Sequence, residues 1–245
     1  MSLSDNSADG PLKIVMLGPF GLHPNKTMRS RALSLAREQV KQGHQVDIMM
    51  PPWQTPEAAD THWDEDGVTL HYVSLKGGLP FIVWRMATAV YQHKPDVVHS
   101  FKPKAYSGLT MWCLWYLRRL WSNPPLLITD TDDWEGAGGW NDRAPYTAGQ
   151  KAFFAWQETW GLRHCDLLTV ASRALQTLAW GHGVKKDRVL YLPNGSGIQR
   201  PLNTPASLRQ EQRTKLGLGD RPTLLLYSRL FEFNIATIPK PPPNK

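Results

Sequence analysis

Leu12-Lys13-Ile14-Val15-Met16-Leu17-Gly18-Pro19-Phe20-Gly21 decides the fold. A short apolar run that halts at glycine and proline reads as a buried strand ending in a turn. A helical pattern follows it. Ala32, Leu33, Ala36 and Val40 recur at spacings of three and four, Thr27 stands where it can cap the helix, and Lys41 and Gly43 close the last turn. Gln45 to Met50 is a second apolar run, which Pro51-Pro52 stops. Strand, helix and strand at this spacing make a right-handed βαβ unit. The alternation then repeats. Strands are expected at 68–73 (after the acidic loop Asp64-Glu65-Asp66-Gly67), 96–100, 126–129, 166–170 and 189–192, with helices at 80–93, 105–121, 148–163 and 173–180. The predicted fold class is α/β, a doubly wound parallel sheet of Rossmann-like type.

Four segments are expected along the chain: a disordered leader at 1–11, the α/β domain at 12–200, a polar linker with one helix at 201–221, and 222–245. In the last of these, Thr223-Leu224-Leu225-Leu226-Tyr227-Ser228-Arg229-Leu230 reads as the opening strand of a second domain. Pro239 and Pro241-Pro242-Pro243 then block regular structure. The expectation is one whole domain and a truncated stub of another.

The chain has 245 residues, enough for a substantial core, and its net charge of +7 favours anionic partners. The basic residues are scattered and carry no nucleic-acid-binding signature, so no nucleic-acid partner is expected. Cys113 and Cys165 lack metal-ligand spacing and read as reduced core thiols of a cytoplasmic protein; no metal is expected. No run reaches the length of a membrane span. The stripe Trp112, Trp115, Tyr116 and Trp121 with Arg118 and Arg119 suits core packing best, with peripheral association at the inner face of a membrane as the other reading.

In an open parallel sheet, ligands bind beyond the carboxyl ends of the strands, so the residues after each apolar run are the candidates. Gly18 and Gly21 could admit a phosphate or sugar to the backbone, or simply make the turn. His99 and Lys102 follow another strand and could serve a hydroxyl and a phosphate. The loop after Thr129 is the most distinctive. Asp130, Asp132, Asp133 and Glu135 crowd one strand end, where carboxylates could orient sugar hydroxyls, act as a general base or hold a divalent ion, and Trp134 could lend a sugar an aromatic face. Its plainer reading is a capped, solvated loop. Asn194 closes the set on the last strand, and Arg229 could grip a diphosphate.

Five fragments together carry a resemblance: Lys13-Ile14-Val15-Met16-Leu17 with its glycine loop; Gly43-His44-Gln45-Val46; Lys94-Pro95-Asp96-Val97-Val98-His99; Cys165-Asp166-Leu167-Leu168-Thr169-Val170-Ala171-Ser172; and Val189-Leu190-Tyr191-Leu192-Pro193-Asn194-Gly195. In this order the chain resembles the amino-terminal lobe of a GT-B fold glycosyltransferase of the retaining family 4 type. The resemblance implies two Rossmann-like lobes facing across a cleft, the first receiving a sugar or lipid-linked acceptor and the second a UDP- or GDP-sugar, with no other cofactor. It implies hexose transfer in cell-surface polysaccharide synthesis. Ser228-Arg229-Leu230 stands where such enzymes carry Gly-Arg-Leu, so Arg229 resembles the donor-phosphate arginine. Asp130 stands where many members carry a histidine. The lysine and Glu-x7-Glu motif of the second lobe do not follow, which implies that the chain is inactive alone or is completed by a second polypeptide. A non-catalytic acceptor-binding module is the alternative, and absence of GxGxxG after Leu17 disfavours a nucleotide-dependent oxidoreductase or epimerase.

Overall fold

In the computed structural model, residues 10–24, 27–195, 205–219 and 222–223 are described. The chain divides into two compact units, Met1–Gly197 and Ile198–Lys245. In the second unit one helix, Ala206–Lys215, is described; it falls inside the segment expected to hold a linker helix. The stub strand after Thr223, Arg229 with it, lies outside the described residues, as does the leader through Ala8 and Asp9.

The first unit is built on eight strands: β1 (Lys13–Leu17), β2 (Gln45–Met50), β3 (Thr61–Glu65), β4 (Val68–Tyr72), β5 (Val97–Phe101), β6 (Leu126–Thr131), β7 (Leu167–Val170) and β8 (Val189–Tyr191). Their order is β3-β4-β2-β1-β5-β6-β7-β8, and every pair is parallel except β3 with β4. The order runs outward in both directions from β1, as in a doubly wound sheet. The α/β Rossmann-like reading of the sequence is therefore what the structure has.

Helices cover both faces because the strands are apolar on both. Ile14 and Met16 join one core cluster with Ile48, Met50 and Leu70, packed under a helical segment that contributes Met28, Ala32, Leu33 and Ala36. Val15 and Leu17 point the other way, into a cluster with Met49 and Val98 under α2 (Gly78–His93) and α3 (Ala105–Leu117). Further along the sheet, beyond the short α4 (Trp140–Arg143), α5 (Ala148–Arg163) and α6 (Arg173–Gly181) close a third cluster around Leu168, Val170 and the buried thiol of Cys165. Burial pushes that thiol up to about 11, as suits an unreactive core cysteine, and both cysteines are free.

Three local features differ from expectation. Thr27 is itself helical and makes no side-chain cap; the first helix opens as a π-helical stretch, Met28–Leu33, before α1 (Ser34–Lys41). Arg31 lies within that stretch and is buried. β3 occupies part of what reads as an acidic loop: Asp66 and Gly67, at φ 55° and 80°, form the tight turn of a β3–β4 hairpin. Finally, the Trp-rich helix is only partly core. Trp115 and Trp121 pack against the second cluster, whereas Trp112 and Tyr116 stand exposed.

Candidate functional site

The carboxyl ends of β1, β5, β6, β7 and β8 meet along one edge, and two charge networks occupy it. The first centres on Asp130, in β6. The Arg31 guanidinium grips it with a two-pronged pair of hydrogen bonds, Nε to Oδ1 and Nη2 to Oδ2, both 2.7 Å. Both side chains are buried, at 6% and 1% exposure. Arg31 also donates to the Asn194 side chain at 2.8 Å and to the Leu192 carbonyl at 2.9 Å, tying the segment after β8 to the helix after β1. Burial opposes the guanidinium charge, but the hydrogen bonds and charge of Asp130 outweigh it, and the Arg31 pKa moves up.

Thr169, in β7, donates to Asp130 Oδ2 at 2.5 Å, which leaves its hydroxyl oxygen free to accept from His99 Nε2 at 3.3 Å. His99 is buried against Phe101. Burial holds its imidazole down at about 4, with Arg31 adding to the effect against the pull of Asp130. It is neutral at pH 7. Asp130 and His99 thus form an interior relay of fixed hydrogen bonds, and neither side chain reaches solvent.

The second network joins two loops. Lys102 follows β5 in the left-handed region at φ 54°, and Ala105 shares that unusual backbone at φ 49°. Gln157 of α5 holds the loop, accepting from the Ala105 amide at 2.8 Å and donating to its carbonyl at 3.1 Å. Pro103 lies so close to α3 and α5 that a Cβ on Gly108 or Gly161 would sit 2.8 or 2.4 Å from it. The clamped loop sends Lys102 Nζ into the turn after β6. There it meets Glu135 Oε1 at 2.9 Å, Asp132 Oδ1 at 3.1 Å and Asp133 Oδ2 at 3.3 Å. Burial would discharge this lysine, but the three carboxylates outweigh burial and raise its pKa. Lys104 Nζ takes the other Glu135 oxygen at 2.9 Å, and Asn141 donates to the Glu135 carbonyl. The Glu135 pKa falls because the two lysines outweigh burial, whereas the Asp132 pKa rises because burial and Asp133 prevail over Lys102. Asp133 is the carboxylate left open, 48% exposed beside 11% for Asp132 and 9% for Glu135.

The remaining candidates fall around these networks. Gly18 and Gly21 are both buried: a Cβ on Gly18 would meet Met28 at 2.6 Å, and one on Gly21 the Tyr72 hydroxyl at 3.0 Å. Close packing accounts for both glycines. Trp134 stacks on His182 and donates to the Ala137 carbonyl at 2.8 Å, and Asn194 is exposed. The structure therefore brings together Lys102, Asp132, Asp133 and Glu135 in one network and His99, Asp130 and Asn194 in another.

Arg31, Lys104, Asn141 and Glu158 belong to the site without being legible as members of it. Glu158, on α5, is fully buried; its Oε1 accepts from Thr131 at 3.2 Å while Oε2 has no partner. Burial pushes its carboxyl up to about 8, with Glu135 adding to the rise. The proton bound in the folded protein is absent in the unfolded chain between about pH 4.3 and this value, so Glu158 makes stability fall as pH rises through that window. Glu158→Gln imitates the protonated form and is expected to flatten this decline, leaving the variant more stable than the parent at pH 8.5. Urea unfolding at pH 5.5, 7 and 8.5 checks it; parallel pH profiles for the two proteins would show that Glu158 is not the titrating group.

The sheet order and the helices on both faces define a Rossmann-like α/β lobe. The chain belongs to the glycosyl transferase 4-like domain family, whose model matches residues 26–195. No curated protein matches it. Among solved structures, the UDP-GlcNAc 2-epimerase of Methanocaldococcus jannaschii is similar at TM-score 0.51 and 10% identity, over 74% of this chain and 45% of that one. A glycosyltransferase from Rickettsia africae (TM-score 0.49, 14% identity, 85% and 50% covered) and Anabaena HepE in complex with UDP and glucose (0.48, 12%, 84% and 50%) are also similar. The chain spans about half the length of each of these structures.

Proposed function

We propose that this chain supplies the acceptor-side lobe of a retaining glycosyltransferase that moves a hexose from a UDP- or GDP-sugar to a glycan or lipid-linked acceptor. The observation that carries the reading is the convergence of Asp132, Asp133 and Glu135 on Lys102 and Lys104 at the carboxyl edge, inside the segment that the family model spans. Buried Lys102 and half-buried Lys104 fix the carboxylates so that they need not reorganise when a polyhydroxylated ligand arrives, which is how positioning lowers a transfer barrier. Asp133 is the acceptor-hydroxyl ligand and Asp132 its partner. Asp130 and His99 act as positioning residues, locking β5, β6 and β7 in register beneath the site. Gripping the leaving diphosphate falls to a second lobe, with Arg229 as the candidate ligand.

A lipid-linked acceptor suits the outer face of α3 and α5, where Trp112, Tyr116, Phe153 and Trp156 are exposed and Arg119 lies over the Tyr116 ring. Peripheral contact with an anionic membrane at the cytoplasmic side is the corresponding proposal. Among the described residues, no helix is long and apolar enough to cross a membrane.

Calorimetry against glycan and polyprenyl-linked acceptors, paired with turnover of UDP- and GDP-hexoses, tests the reading. Acceptor binding is expected, weakened at least about tenfold in Asp133→Ala as one charge-assisted hydrogen bond is lost. Unchanged binding would make the acidic turn purely structural. Robust sugar transfer or donor hydrolysis by this chain unaided would overturn the division of labour between lobes.

A further inference from the structure

Away from the carboxyl edge, three side chains from three elements converge near the amino-terminal side of the sheet. Asp47 lies on β2, His71 on the neighbouring β4, and His93 ends α2. Asp47 pairs in register with Thr69, so His71, two residues on, projects from the same face of the sheet as Asp47. α2 brings its last residue down onto that face. Asp47 Oδ1 stands 2.8 Å from His71 Nε2 and 3.7 Å from His93 Nε2, and the three ligand atoms all lie within 4.8 Å of one another.

We propose that Asp47, His71 and His93 form a binding site for a divalent transition ion of the zinc class. In a tetrahedral site with bonds of about 2.0–2.1 Å, neighbouring ligand atoms stand roughly 3.3 Å apart. The two measured separations bracket that value. The orientation of His93 supplies an independent indication. Its Nδ1 lies 2.8 Å from the Ala89 carbonyl, which can only accept, so Nδ1 carries a proton and Nε2 is the nitrogen turned toward the carboxylate. An imidazole fixed through one nitrogen by a backbone carbonyl, with the other aimed at an anionic oxygen, has the arrangement that metal-ligating histidines adopt. Two nitrogens and one carboxylate oxygen favour zinc, cobalt or nickel over magnesium and calcium, which demand oxygen shells. Asp47 and His93 also border a small cavity with Lys13, Gln45 and Pro95, where water can complete the shell. All three ligands are half-buried and open to an incoming ion. Bound metal would cross-link β2, β4 and the end of α2, stiffening the lobe at a distance from the acceptor face.

The test uses the full chain without an affinity tag, titrated with Zn²⁺ and with Co²⁺. Expected are a saturable rise in melting temperature with Zn²⁺, the d–d absorption of four-coordinate Co²⁺ in the visible, and neither effect with Mg²⁺. His93→Gln and Asp47→Asn are each expected to weaken Zn²⁺ binding at least about tenfold, whereas His23→Ala, an exposed histidine elsewhere, leaves it unchanged. Circular dichroism of the metal-free variants separates lost binding from lost folding, and His71→Gln serves as a second probe where either variant is unstable. Absence of saturable binding, or binding undiminished in folded His93→Gln, would overturn the site.

Discussion

Arg31→Met is expected to destabilise the protein by about 3–5 kcal/mol, because it leaves the Asp130 carboxylate buried without its counter-ion. Asp130 is 1% exposed, so solvent cannot take over the role of the guanidinium. Among the described residues, Thr169 remains as a donor to its Oδ2. The variant also frees the Leu192 carbonyl and the Asn194 side chain, loosening the segment after β8. Denaturant unfolding at pH 7 measures the loss. Adding Asp130→Asn to Arg31→Met is expected to recover more than half of it, since removal of the stranded charge removes most of the penalty. A loss below about 1 kcal/mol in Arg31→Met, the size of an exposed pair, would show that water reaches the carboxylate.

Lys102→Met should cost about 3 kcal/mol at neutral pH for a related reason, and its pH dependence identifies the cause. Without the ammonium group, Asp132 and Glu135 are two nearly buried carboxylates facing one another across the turn, with Lys104 the remaining cation of this network. Their affinities for protons rise in the folded variant, so its folded state gains stability relative to the parent as pH falls. The gap between variant and parent is therefore expected to narrow from pH 7 to pH 5. A gap that stays constant or widens would mean that the loop is held by its Pro103 packing, with the ion pairs contributing little. The same variant should lose acceptor affinity along with Asp133→Ala, because Asp133 Oδ2 loses a fixed partner 3.3 Å away.

How much of this could be read in the sequence follows from the range of each interaction. β1, β2, β5, β6, β7 and the edge strand β8 are short apolar runs bounded by proline, glycine or charge, and burial on both faces of the interior strands leaves that trace in any window of six residues. β3 has no such trace. Thr61, His62 and Asp64 are exposed on an edge strand and Trp63 is its one apolar residue, too little for a run, so the segment reads as part of the acidic loop. For the site, the rule that ligands gather beyond strand carboxyl ends singled out His99, Lys102 and the turn after β6. It could not separate Asp133, half in solvent, from Asp130, sealed beneath Arg31, because adjacent carboxylates look alike until their partners are known.

Those partners are remote along the chain. Arg31 meets Asp130 across 99 residues, and Lys102 meets Glu135 across 33. The His93 orientation and its approach to Asp47 depend on where α2 lands on the sheet, which no local pattern encodes. The order of apolar runs and breakers determined by itself that the chain is a doubly wound parallel layer, because backbone hydrogen bonding and burial act on every residue of a strand or helix. Which carboxylate is free, which histidine stays neutral and which three side chains could hold an ion were decided only by tertiary packing. Charge and desolvation depend on distances through space of a few ångströms, and those exist only once the layers have closed.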